Sequence, residues 1–257
     1  YTAEEDDYKN ISRETLSPFY SANYTADNCT VIISGKINDE LISLLEKYFG
    51  SNDWKGKIQQ AKSFEAIPIS FEEKYFVEKK DAVQSALRIG KHMINRNHPD
   101  WSGLRFTNTI LGGYFGSRLM SNLREDKGFC YGIYSAFYSF FDHGHVSIAS
   151  EVGSDVTKQA ASEIFFEINR LRNEPVQKEE MDLVRNYMLG FTLGDLDGPF
   201  NLSEVIRGYI IHGIDFQKFS QNIQTVKTIT AQRVQELANI YFNPDSMLSV
   251  VSGSVEI

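Results

Sequence analysis

The side chains in this sequence that could support chemistry are few. Its five histidines, His92, His98, His143, His145 and His212, never fall into His-x-x-x-His, His-x-x-Glu-His or His-Glu-x-x-His. Those spacings place two imidazoles and a base on one helical face around zinc. His143 and His145 could share a strand face, but His-Gly-His at a hairpin bend reads as a surface pair, and no third ligand accompanies it. No coherent Ser, Cys or paired-carboxylate set supports nucleophilic or acid–base catalysis. What remains is residues 110–135, ILGGYFGSRLMSNLREDKGFCYGIYS. This stretch carries a guanidinium at Arg124, with five donors in a fixed fork, and a phenol at Tyr131, with one directional donor. Read alone, Arg124 belongs to a charged run at a helix end, where it favours the dipole, and Tyr131 is a strand aromatic. The run Gly112-Gly113-Tyr114-Phe115-Gly116 is weak as a phosphate cradle, because no Gly-Lys-Ser/Thr follows and a turn between helices explains the glycines.

The elements around this segment follow from periodicity. Two strands are expected at about 72–79 and 82–91, with Lys79-Lys80-Asp81 turning between them. A helix over about 100–111 ends at Gly112-Gly113, and a shorter one runs from about 117 to 126. Residues 130–140 and 144–151 have the aromatic and β-branched content of a hairpin packed on one face. Helices then follow at 154–172, 177–193, 200–211, 216–226 and 230–241; the first places Val156, Ala160, Ile164, Phe165, Ile168 and Leu171 on one side. The expected fold class is α+β, an antiparallel or mixed sheet backed by a layer of helices.

An internal repeat sets the domain organisation. Residues 11–37 align without a gap on 229–255, so that Ile11, Asp27, Ser34 and Gly35 fall on Ile229, Asp245, Ser252 and Gly253. Each copy reads as an N-cap (Ser12 or Thr230), an amphipathic helix, a polar turn and a β-rich run ending in Ser-Gly. The second copy closes a domain at 65–257; the first, with its strand at 28–35, reads as the end of a preceding homologous domain plus linker at 1–60. A helix at 38–49 follows, capped by Asn38, with Leu41, Leu44, Leu45 and Tyr48 as its stripe and Gly50 as its stop.

The segment 110–135 resembles the pitrilysin-like (insulinase-like) peptidases, which include the mitochondrial processing peptidases. Leu111-Gly112-Gly113, Ser117-Arg118-Leu119, Leu123-Arg124-Glu125, Lys127-Gly128 and Tyr131 follow in order the pattern of that family's second, non-zinc domain. Tyr24–Gly35 and Leu41–Gly50 resemble the family's domain-closing strand and the helix that follows it. Phe129 and Cys130 stand where the family has Leu and a small residue; neither departure removes a functional group. The resemblance implies a processing-peptidase-like metallohydrolase fold. It also implies that Arg124 and Tyr131 bind substrate, reaching across to the zinc site of an N-terminal domain and gripping the carbonyl region of a peptide. Gly128 would end the helix bearing Arg124 so that both side chains converge. Catalytic residues and metal would then be absent from this chain and zinc would sit upstream of Tyr1, so the chain alone would cleave nothing. The alternative is a non-catalytic partner or scaffold subunit of a pitrilysin-like complex.

Composition narrows the partners. A formal net charge of -8 gives no basic excess for nucleic acid, and no apolar run approaches the length of a membrane span. The expected partners are a peptide substrate and a zinc-binding domain or subunit. Where that domain is lacking, its uncovered apolar surface makes a homodimer a further candidate. No signal regions open the chain, which leaves the compartment undecided, with the cytoplasm favoured and export still open. Cys29 and Cys130, each beside an apolar run, read as buried free thiols, with a disulfide or metal pair the lesser reading.

Overall fold

The computed structural model describes residues 3–51 and 74–257. The chain divides into two compact units, Tyr1–Pro68 and Ile69–Ile257. The polar connector expected at 51–70 and the opening of the strand expected from Glu72 lie almost wholly outside the described residues.

The first unit carries α1 (Glu5–Lys9), α2 (Arg13–Asn23) and α3 (Asp39–Phe49). Ser12 caps α2 reciprocally: its hydroxyl accepts from the Thr15 N–H, and the Thr15 hydroxyl accepts from the Ser12 N–H. Asn38 caps α3 by accepting from the Leu41 N–H at 2.9 Å. Residues 28–35, expected as a strand, form no ladder among the described residues. A strand satisfies its backbone only through a neighbour, and the described part of this unit offers none. Cys29 is accordingly exposed rather than buried, while Cys130 in the second unit is half-buried against the core; both thiols are free.

The second unit is built on a five-stranded mixed sheet of order β1-β5-β2-β4-β3, with β1 (Lys74–Glu78), β2 (Gln84–Met93), β3 (Cys130–Ser139), β4 (Gly144–Gly153) and β5 (Leu248–Gly253). The turn at Lys79-Lys80-Asp81 does not make a hairpin. β5 lies between β1 and β2, parallel to the first and antiparallel to the second. Alternate residues of β5 are buried, as an interior strand requires, whereas β1, mostly exposed and charged at Lys74 and Glu78, suits an edge.

Six helices accompany the sheet: α4 (Trp101–Gly112), α5 (Thr157–Asn173), α6 (Lys178–Asp195), α7 (Gly198–Ile211), α8 (Gln217–Thr228) and α9 (Ala231–Tyr241). Every residue of α4 is buried except Arg105. Its Leu104, Phe106, Ile110 and Leu111 join Leu87 and Ile89 of β2, Ile133 of β3 and Val146, Ile148 and Val152 of β4 in one core, to which α5 adds Ala160, Ile164, Ile168 and Leu171. Fully burying a side chain of this size stabilises the fold by about 1.5–3 kcal/mol.

The repeat holds end for end in its helices. α2 and α9 each span eleven residues, and the gapless alignment lays Arg13 on Ala231 and Asn23 on Tyr241. The 3₁₀ turns at Ala26–Asn28 and Pro244–Ser246 coincide as well. Burial differs sharply: Leu237 is 1% exposed, whereas its counterpart Phe19 is 59% exposed.

At the far end of the sheet His92 of β2 is registered opposite His145 of β4, and His145 stacks on Tyr138 at 4.7 Å. Burial first, then His92 and His143, hold the His145 pKa below its ordinary value. The folded state therefore prefers neutral His145, and the unfolded chain binds the extra proton. Its contribution to stability is whole above the ordinary histidine pKa of about 6.5 and is lost as pH falls toward the lowered folded value. Urea unfolding midpoints should decline as pH falls below about 6.5, and His145→Gln should flatten that slope; an unchanged slope would contradict the assignment.

Candidate substrate-binding site

Arg124 and Tyr131 meet on an open face of the second unit. The Cζ of Arg124 lies 5.6 Å from the centroid of the Tyr131 ring and 4.5 Å from that of Phe115. The guanidinium, half-buried, is thus flanked by two aromatic rings, an arrangement its charge and planarity favour. Tyr131 is 91% exposed and Phe115 is also exposed, so neither serves the core. Phe115 escapes sequence reading, since within a Gly-Gly-Tyr-Phe-Gly run it looks like one more turn residue.

Three local departures from regular structure bring the pair together. The helix expected at 117–126 continues from Arg118 into a π-helical segment, Met120–Asp126, in which the Lys127 N–H donates to the Asn122 carbonyl at 3.1 Å. Such wide turns are uncommon and shift the side chains that follow them. Gly128 then reverses the chain with φ +65°, in the left-handed region, and the Phe129 N–H reaches back to the Leu123 carbonyl at 2.8 Å. Finally, β3 is bulged: Cys130 opposes Val152 and Ile133 opposes Ser150, so one extra residue is inserted around Tyr131 and Gly132. A bulge re-aims the side chain it carries.

Polar anchors hold the π-helical segment. Arg118 forks onto Glu180 of α6 through Nε (2.8 Å) and Nη2 (2.7 Å). Asn122 donates to Glu163 (3.0 Å) and Glu167 (2.7 Å) of α5, and Lys127 pairs with Glu163 at 3.3 Å. Glu167, 2% exposed, is neutralised by Arg170 at 3.1 Å. Paired and hydrogen-bonded in this way, the buried charges fix the backbone that presents Arg124.

The glycines expected to end α4 serve a different purpose. Gly113 caps the helix in an ordinary right-handed conformation, with φ -86°. Gly112 lies inside the helix where it crosses β3, and a Cβ there would come within 2.7 Å of Ser135 Cβ and 2.8 Å of its nitrogen. Beside this crossing Asn108 donates to the Ser135 carbonyl at 2.8 Å. Gly112→Ala should therefore destabilise the unit by about 1–3 kcal/mol, read from chemical denaturation; a neutral substitution would show that the crossing can yield.

Among the described residues, no group of three or more His, Cys, Asp or Glu side chains could hold a metal ion. His143 is paired instead with Asp142 at 2.6 Å. No helix of the described residues is long and apolar enough to cross a membrane.

The chain is 26% identical over 251 residues to the uncharacterized zinc protease YmxG of Bacillus subtilis, covering 97% of this chain and 60% of YmxG. It is 25% identical over 239 residues to the uncharacterized zinc protease ML0855 of Mycobacterium leprae, covering 91% of this chain and 53% of that protein. The chain thus spans little more than half the length of these relatives. A crystal structure of a peptidase M16 inactive domain from Pseudomonas fluorescens superimposes with a TM-score of 0.84 at 20% identity, over 98% of this chain and 60% of that one, so the fold is shared. Residues 10–188 match the family described as the peptidase M16 inactive domain, and the chain belongs to that family.

Proposed function

We propose that this chain is the substrate-holding half of a zinc metallopeptidase, and that Arg124 and Tyr131 grip the backbone of a peptide presented by a zinc-bearing neighbour. The supporting observation is Arg124 flanked by Phe115 and Tyr131 on an exposed face, with the neighbouring Arg118 and Lys127 tied to α6 and α5 by ion pairs to Glu180 and Glu163. The fork of Arg124 donates to a peptide carbonyl, and the phenol of Tyr131 supplies a second donor to the oxygen on which charge develops. Zinc does not fit this chain's own described residues; bound to a preceding domain or a partner subunit, it would supply the activated water. The first unit is then the end of that preceding domain, residues 1–60, and the second, 65–257, is the substrate-holding domain.

The test compares two proteins. The intact parent should cleave a fluorogenic peptide, lose that activity to a chelator and regain it with zinc, whereas the 257-residue chain should cleave nothing. Cleavage by the chain alone would overturn the reading. A parent that cleaves nothing and carries no His-x-x-Glu-His would make the chain a non-catalytic partner subunit instead.

A further inference from the structure

Apart from the aromatic-flanked arginine, the second unit encloses a cavity of about 510 Å³ among α4, α6, α7, α8 and β3. Arg105, the single charged and single unburied residue of α4, opens into it, and Arg96 lines the same space. Among the described residues neither guanidinium has a side-chain hydrogen bond or ion pair. Enclosure first, then Arg96, lowers the Arg105 pKa, with Tyr209 and Asp195 opposing the shift. Two carboxylates share the lining. Of these two, Glu204 is held by Arg207 at 2.6 Å, whereas Asp195 has no ion pair among the described residues. Two arginines facing one aspartate leave room for one further negative charge. Trp101, Phe137 and Phe219 supply the apolar wall.

The outer wall is suited to admitting a ligand. α7 has no buried residue and is bracketed by Gly198 (φ +80°) and Gly213 (φ +60°), both in the left-handed region and both free of close neighbours at the position of a Cβ except Phe141 at 3.9 Å from Gly213. A weakly packed helix between two such glycines can move without dismantling the core beneath it.

We propose that this cavity binds a small organic monocarboxylate with an apolar body, its carboxylate taken by Arg96 and Arg105 and its body packed among Trp101, Phe137 and Phe219. Paired guanidinium groups match the planar geometry of a carboxylate, and a site of mixed aromatic and convergent polar groups is what a small ligand requires. The same chemistry is offered by a free acid and by a peptide C-terminus ending in an apolar residue.

Isothermal titration of the 257-residue chain tests the proposal with 3-phenylpropanoate, its neutral amide, and N-acetyl-phenylalanine as a stand-in for a peptide terminus. The acid should bind saturably with a Kd on the order of 1 mM or tighter, and the amide at least about tenfold more weakly. Tighter binding of N-acetyl-phenylalanine assigns the site to peptide termini, and parity assigns it to free acids. Arg105→Met and Arg96→Met should each weaken the acid about tenfold, while Arg124→Ala leaves it unchanged; Arg105→Lys, which keeps the charge, should retain part of the affinity. The wild-type comparison of acid with amide needs no folded variant. Absence of saturable binding, equal binding of acid and amide, or undiminished affinity in both Met variants would overturn the assignment.

Discussion

Tyr131→Phe in the intact protein is expected to lower kcat for peptide cleavage by about 100-fold, with KM little changed and the unfolding midpoint unmoved. The reasoning is that the substitution removes one oxygen from a residue 91% exposed, leaving its ring beside Arg124 and the core untouched. A donor that acts only on the charge developing in the transition state shows itself in kcat; one that merely holds the ground state shows itself in KM. Arg124→Lys keeps the charge but loses the fork, so a loss of the same order is expected from it. Phe115→Leu, which removes one of the two rings flanking Arg124, should cost roughly three- to tenfold by loosening the guanidinium. Wild-type turnover in both Arg124→Lys and Tyr131→Phe would remove the basis of the proposed function, whatever the fold.

The helices were legible because their apolar positions recur with the helical period and their ends carry recognisable caps. Ala160, Ile164, Ile168 and Leu171 lie on the buried face of α5 where that period places them, and Ser12 and Thr230 cap α2 and α9. The convergence of Arg124 and Tyr131 was expected from the ordered motif and from Gly128. The means of convergence was not. Nothing in Met-Ser-Asn-Leu-Arg-Glu-Asp distinguishes an α from a π winding; the anchoring of Arg118, Asn122 and Lys127 comes from Glu163, Glu167 and Glu180, far along the chain. The bulge at Tyr131 and the insertion of β5 between β1 and β2 likewise depend on residues distant in sequence. Local propensity carries no record of such pairings.

The last expectation turns the repeat into a measurement. Leu237→Ala should cost about 2–5 kcal/mol, because Leu237 is 1% exposed and its Cδ1 would lie 2.8 Å from a Cβ added at Gly103 of α4, the mark of a contact with no slack. Phe19 occupies the same place in the first copy but is 59% exposed, so Phe19→Ala in the 257-residue chain should change stability by no more than about 0.5 kcal/mol. If α2 closes a domain as α9 does, the same substitution in the intact parent must empty a filled core position, and its cost should rise to about 3–5 kcal/mol. Urea unfolding of both proteins, each with and without Phe19→Ala, gives the difference directly. An equally small effect in the parent would mean that the first copy has helix and turn in common with the second but not its packing, and the preceding domain would have to end elsewhere. A rise confined to the parent would show one pattern of apolar residues building the same interior twice, with the second unit's own α9 as the template for what covers α2.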